Sequence, residues 1–177
     1  MMKKWRACAV FSALCLSSGT AHAMSHEMKA RADIKDAAGK SIGTATLTEQ
    51  KDGVKVKLKV SGLAAGKHGF HIHETGTCTP PDFKSDGGHY NPFKKHHGME
   101  NPAGKHAGDF PNLEVKKDGT AEVTVIATGA TLKKGPASLL KPGGTAIVIH
   151  ADPDDYKTDP AGNAGDRVAC GVIAMDK

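Results

Sequence analysis

The stretch VKVKLKV at residues 54–60 alternates an apolar residue with lysine at every step, and that period constrains the fold more than any other feature of the chain. Side chains of a β-strand project alternately to the two faces of a sheet, so Val54, Val56, Leu58 and Val60 share one face while Lys55, Lys57 and Lys59 share the other. One face must be buried and the other wetted. AEVTVIA at 121–127 alternates less strictly, and TAIVIHA at 145–151 reads as a buried strand. Lys51-Asp52-Gly53 and Lys117-Asp118-Gly119 read as hairpin turns. No long stretch carries a 3.6-residue repeat, so the expected fold is all-β, an immunoglobulin-like Greek-key sandwich or flattened barrel. Residues 24–32, MSHEMKARA, give no strand signal and read as a mobile start.

The beginning of the chain is of another kind. MMKKWRACAVFSALCLSSGTAHA has a basic start at Lys3, Lys4 and Arg6, an apolar stretch from Ala7 to Leu16, and a small-x-small ending at Ala21-His22-Ala23. Residues 1–23 are therefore expected to be a secretory signal peptide, too short and wrongly flanked to span a membrane. Leu14 before Cys15 does not fit a lipid-anchor signal, and no second long apolar run follows. Cleavage after Ala23 leaves residues 24–177, enough for one domain with its own core, expected to be exported and not at a membrane. The leader holds three of the 24 basic residues and none of the 19 acidic ones, so its removal lowers the formal charge from +5 to +2. No basic cluster alternates with aromatics, which argues against nucleic acid as a partner. Cys8 and Cys15 leave with the leader, and the remaining pair, Cys78 and Cys170, reads as one disulfide in an exported chain.

Two segments break the alternation: residues 76–112 and 152–167, both rich in Gly, Pro and Asp, the first in His as well. Loops of this length inside a compact domain are usually functional or disordered, and here the histidines favour function. His89, His96, His97 and His106 lie in the first loop, while His71, His73 and His150 lie on strands that border the loops. His71 and His73, two positions apart in GFHIHETG, point to one side of their strand and leave Phe70 and Ile72 for the other. Neutral imidazole is the commonest metal ligand.

GFHIHETG, GGHYNP, KHHG, HAGDFPN, VIHADPDD and GNAGDRVACGVI run in order from residue 69 to 173. In these motifs the chain closely resembles the copper/zinc superoxide dismutases, in particular the exported bacterial kind. The resemblance implies that one copper is bound by His71, His73, His89 and His150. It implies one zinc on His89, His97, His106 and Asp109, with the ring of His89 bridging the two metals. Imidazole ligands suit a copper that changes oxidation state, whereas redox-silent zinc suits a closed N3O site. The bridging ring must lose both of its protons, which two cations make possible. The family's carboxylate that orients the outer nitrogens of His71 and His97 falls on Asp154, with Asp155 as its immediate neighbour. His96 stands beside His97 and is the other candidate, but the eight-residue step from His89 matches the family at His97. His68 matches a structural position with no metal on it, and His26 is an additional metal site or no site at all.

The resemblance further matches Cys78 and Cys170 to the family's disulfide, and Arg167 to an arginine at the copper mouth that attracts and positions a small anion. An ordinary surface pair with Asp166 is the other reading of Arg167. The implied activity is disproportionation of superoxide: one superoxide gives up its electron to copper and leaves as oxygen, and the next takes that electron and two protons to become hydrogen peroxide. His89 is released and protonated in the reduced half of this cycle. The alternative is a periplasmic copper and zinc binding protein without turnover, which has no use for Arg167. Monomer and homodimer are both compatible with the sequence.

Overall fold

The computed structural model describes residues 27–176. The leader reading over residues 1–23 and the question of His26 fall outside them. Ten strands follow in order: β1 (Lys29–Asp36), β2 (Ser41–Gln50), β3 (Gly53–Val60), β4 (Gly66–His68), β5 (Phe70–His73), β6 (Leu113–Val115), β7 (Ala121–Thr128), β8 (Ala146–His150), β9 (Arg167–Val172) and β10 (Ala174–Met175). All pairings between them are antiparallel. The main sheet runs β5-β8-β9-β1-β2-β3-β7, with β10 on β1 and a separate β4-β6 ladder. Because β3 neighbours β7 and β5 neighbours β8, the chain crosses over instead of meandering, as a Greek key does.

The sheet curls around one apolar core. Val54, Val56 and Leu58 of β3 face that core together with Ile34 of β1, Leu47 of β2, Phe70 and Ile72 of β5, and Ile147 and Ile149 of β8. Lys57 and Lys59 stay exposed on the outer face and share Glu122 of β7, 3.0 and 3.2 Å away. Lys51 and Asp52 turn β2 into β3 with Gln50 opposite Gly53, a two-residue hairpin. Among the described residues no helix is long and apolar enough to cross a membrane.

Three features differ from the sequence reading. The supposed mobile start overlaps β1, a central strand whose inward residues are Ala30, Ala32 and Ile34. Two of these are alanines, so the apolar period is real but weak, and the charged outer residues hide it. Lys117-Asp118-Gly119 does turn, with Lys116 N–H donating to Thr120 O at 2.9 Å, but it closes no hairpin. It joins β6, paired with β4, to β7, paired with β3. Finally, residues 129–145 form a third irregular segment. The Glu49 carboxylate holds it by accepting from Thr131 Oγ1 and Leu132 N–H, and Leu132 and Leu139 are inserted into the core.

β5 and β8 are the strands that position the site, and both are buried along their whole length. Their register sets Phe70 opposite Ile149 and Ile72 opposite Ile147 on the core side, and His71 opposite Val148 and His73 opposite Ala146 on the other. A slip of one residue would put the imidazoles in the core. The second face is covered by the 76–112 loop, tied to β9 by a disulfide between Cys78 and Cys170 across 92 residues of sequence. Closing a loop of that length restricts the unfolded chain by about 4 to 5 kcal/mol in the chain-entropy treatment. Cys78→Ser is therefore expected to lower the unfolding free energy of the oxidised protein, read from its urea transition, by an amount approaching this value. A midpoint within experimental error of the unmodified protein would show that the bridge adds no stability.

Candidate metal centre

β5 has β8 on one edge, and the loop supplies backbone to the other. Ile72 N–H donates to Gly108 O at 2.9 Å, Tyr90 N–H to Ile72 O at 2.8 Å, and Glu74 N–H to Gly88 O at 2.8 Å. An edge strand left bare would present these groups unpaired. This stitching brings His89 opposite His73 and Asp109 opposite His71. Gly108 is needed for the approach, because a Cβ there would run into the carbonyl of Ile72 and the side chain of Tyr90.

Two groups of donors result. His71, His73, His89 and His150 turn ring nitrogens toward one point, and His89, His97, His106 and Asp109 turn theirs toward another, the ligand atoms of each group lying within 4.8 Å of one another. Every member is buried. In the first group, Nε2 of His73 and Nε2 of His150 face each other at 3.3 Å. In the second, Asp109 Oδ1 lies 2.9 Å from His89 Nδ1 and 3.3 Å from His106 Nδ1, and Asp109 Oδ2 lies 3.2 Å from His97 Nδ1. His89 belongs to both.

Four of these nitrogens, His71 Nδ1, His89 Nε2, His97 Nδ1 and His106 Nδ1, have no hydrogen-bond partner among the described residues. A buried unpaired polar atom costs about 1 to 3 kcal/mol, so four of them around two points call for a cation at each. The donor chemistry fits: four imidazoles for copper, and three imidazoles with a carboxylate for zinc.

The outer ring nitrogens are held by protein. Asp154 Oδ2 lies 2.6 Å from His71 Nε2 and Asp154 Oδ1 lies 3.0 Å from His97 Nε2, so one carboxylate spans both groups. Its backbone N–H donates to Asn112 Oδ1, and its carbonyl accepts from Asn112 Nδ2. Asp155 instead accepts from the backbone of Lys157 and Thr158 in an exposed turn. Gly162, at φ +65°, lets the second loop pass against this assembly, since a Cβ there would strike Asp154 Oδ1 and lie 2.6 Å from His97 Nε2. His96 points outward to Asp159 at 2.7 Å, and the same carboxylate accepts the N–H of His97 at 2.6 Å, fixing which of the two rings turns inward. His68 places both ring nitrogens against carbonyl oxygens, of His150 at 2.8 Å and Ala64 at 2.9 Å, and offers none to a metal.

Arg167 opens β9 and reaches the first group from the side. Its Nη1 donates to Phe83 O at 3.2 Å and its Nη2 to Gly87 O at 2.7 Å. Its ion partner is Asp86, at 2.8 Å, and not Asp166. Asp86 is fully buried and also lies 2.7 Å from His73 Nδ1. The sequence reading passed over it. The signal available was an acid next to the glycines of SDGGHYNP, in a loop already marked by its histidines. Burial lifts the Asp86 carboxyl to about 7 against the pull of Arg167.

Burial also sets the protonation of the rings. It pushes His71 and His73 well below the ordinary imidazole value, lowers His89, and brings His150 to about 4. These four are neutral bases at neutral pH, as ligands must be. Burial pulls His97 down too, but Asp109 and Asp154, one toward each ring nitrogen, outweigh it and hold it at about 9. Burial works against Asp109 as well, yet its contacts with His106, His89 and His97 keep it well below the usual carboxylate range.

The sequence profile of the copper/zinc superoxide dismutase (SODC) family matches residues 41–173. Superoxide dismutase (Cu-Zn) 1 of Aquifex aeolicus strain VF5 is 50% identical over 176 residues, covering 98% of this chain and 99% of that protein. Among solved structures, a SOD-like protein from Bacillus subtilis superposes with a TM-score of 0.78 at 40% identity, covering 81% of this chain and 97% of that one. The Cu/Zn superoxide dismutase of Brucella abortus superposes with a TM-score of 0.67 at 31% identity, covering 82% of this chain and 99% of its own.

The ring pKa values imply a pH response for the metal-free protein. A base whose pKa falls on folding contributes stability that is complete above its unfolded value of about 6.5 and is lost as pH falls. His71, His73, His89 and His150 are of this kind. His97 has the opposite sign: its contribution is complete below about 6.5 and fades as pH rises through about 9. Four rings against one make the acid side dominate. The urea midpoint of the metal-free protein is expected to fall as pH is lowered from about 6.5 toward 4, and a flat midpoint over that window would contradict neutral burial of the rings.

Proposed function

This chain belongs to the copper/zinc superoxide dismutase family, and from that premise we propose how its own residues divide the work. The activity is the disproportionation of superoxide, with copper and zinc as cofactors. The copper ligands in this reading are His71, His73, His89 and His150, and the zinc ligands are His89, His97, His106 and Asp109. The observation that carries the assignment is that His89 alone belongs to both donor groups, one ring nitrogen turned to each.

Bound copper supplies the one-electron couple on which two superoxide ions become oxygen and hydrogen peroxide, and zinc supplies a fixed, redox-silent charge. The protein does the rest by placement. Asp154 fixes the proton of His71 on Nε2 and that of His97 on Nε2, which leaves Nδ1 of each ring free for metal. His89 Nε2, buried and without a protein partner, is the atom at which the chain holds a proton beside the substrate. Arg167 is clamped by two carbonyls while about a fifth of its side chain stays exposed, which suits it to receive a small anion at the mouth of the site. A storage protein has no use for such an arginine, so turnover is the favoured reading.

Residues 1–23 are read as a leader removed on export, with 24–177 as the mature enzyme of the periplasm. The Cys78–Cys170 disulfide and the bacterial relatives are consistent with export.

Metal analysis combined with a superoxide-decay assay tests the assignment. His97→Ala is expected to lose zinc while His96→Ala keeps it, and the reverse result would overturn the loop assignment. Arg167→Ala should slow decay by about tenfold or more with both metals bound, and Arg167→Glu should slow it further and abolish the fall of activity with ionic strength, because steering of an anion is screened by salt. Undiminished activity in fully metallated Arg167→Glu would remove Arg167 from the reaction.

A further inference from the structure

Among the described residues, Asp86 is the one buried carboxylate near the site that the proposed function leaves without a task. It closes the short 3-10 turn Lys84–Asp86, and its side chain lies between Arg167, His73 and the disulfide, with Oδ2 3.8 Å from Cys170 Sγ. Both cation-capable neighbours direct their hydrogen bonds elsewhere. Arg167 donates to the carbonyls of Phe83 and Gly87, and His73 Nδ1 lies 3.1 Å from Gly87 O. Asp86 Oδ1 itself receives no well-aligned hydrogen bond. Two carbonyls thus suffice to orient the guanidinium, and what the carboxylate adds is negative charge 2.8 Å from Nη1. Charges this close and this dry interact strongly.

We propose that Asp86 is a positioning residue that acts through Arg167 and His73: its carboxylate is the counter-charge that attenuates the pull of Arg167 on anions, and it strengthens His73 as a ligand by placing negative charge 2.7 Å from the ring's Nδ1. An imidazole with a negative charge held beside its outer edge is a more basic ligand at its other nitrogen and favours the more highly charged metal. The consequence for Arg167 is a site that captures a passing monoanion yet is less readily occupied by bystander anions. This inference rests on the roles given above to Arg167 and His73.

The test uses the protein loaded with copper and zinc, with all variants compared at one pH. Azide, an unreactive monoanion, is titrated against the copper absorption bands, and the copper reduction potential is measured on the same samples. The proteins compared are Asp86→Asn, Asp86→Ala, Arg167→Ala and the double variant Asp86→Asn/Arg167→Ala. Asp86→Asn is expected to bind azide about three- to tenfold more tightly, a gain that shrinks when Arg167 is also removed, and to show a higher reduction potential than the unmodified enzyme. Asp86→Ala, which removes the polar group outright, should move both readouts the same way and serves if the amide misfolds. Azide binding that is unchanged or weaker with both metals in place would overturn the counter-charge role, and an unchanged potential would overturn the effect on His73. Loss of copper from both Asp86 variants would make the carboxylate a structural element and overturn the proposal altogether. If Arg167→Ala itself leaves azide binding untouched, the failure lies with the role of Arg167 and not with Asp86.

Discussion

The site exists because β5 is an edge strand that is not left as an edge. Its outer backbone groups pair with residues 88, 90 and 108 of the loop, and those few hydrogen bonds place His89 and Asp109 beside His73 and His71. Everything chemical follows from that pairing. The strand supplies rigid alternation, two imidazoles on one face and Phe70 and Ile72 anchored in the core on the other. The loop supplies ligands that could not come from a regular strand, since His97, His106 and Asp109 must converge on one point from a short stretch of chain. A ligand set built on a strand alone would be rigid but too sparse, and one built on a loop alone would be complete but poorly fixed.

Electrostatics imposes the next layer. Packing His71, His73, His89, His97, His106 and His150 together without water is tolerable only if the rings are neutral or are matched by negative charge. Three buried carboxylates do the matching, each in a separate place. Asp109 sits within the second donor group, Asp154 lies behind both groups, and Asp86 lies behind His73 and Arg167. The asymmetry between the groups follows. The first group contains no carboxylate and its rings are driven toward neutrality, whereas His97, set between two carboxylates, is held at about 9.

The sequence revealed the site better than the sheet that carries it. Alternation at residues 54–60 exposed β3 because valine and leucine contrast strongly with lysine. The same alternation in β1 was hidden by alanine, which fills the inner face of the sheet without standing out from polar neighbours. The candidate ligands stood out because histidine is uncommon and their spacing is shared with a family. Asp86 was not legible for the opposite reason: an acid in a loop full of acids looks solvated, and only the fold shows that the 3-10 turn delivers it beneath Arg167. The choice between His96 and His97 and that between Asp154 and Asp155 likewise turn on orientation. Adjacent residues in irregular chain have no fixed period, so the direction of each side chain is decided by its partners, Asp159 for His96 and the pair His71 and His97 for Asp154.

Stability and function are coupled through the unpaired nitrogens. Among the contacts that hold the 76–112 loop are backbone bonds to β5, the disulfide at its start, the grip of Phe83 and Gly87 on Arg167, and the bonds of Asp154 and Asp159 to His97 near its middle. The four orphaned ring nitrogens oppose this packing. A bound cation turns each of them from a cost into a bond, so metal affinity becomes folding free energy for the loop, and anything that binds only the folded state stabilises it by mass action. The disulfide acts on the other side of the same equilibrium by restricting the unfolded chain before any metal arrives. Cys78 belongs to the loop and Cys170 to β9, the strand that begins with Arg167. The covalent tie therefore holds the loop against the strand that carries the arginine, while its backbone bonds to β5 hold it further along against the strand that carries His71 and His73. The segment between the two ties, residues 83–87, is where Phe83 and Gly87 grip Arg167 and where Asp86 is buried, so the geometry at the mouth of the site is fixed from both sides at once.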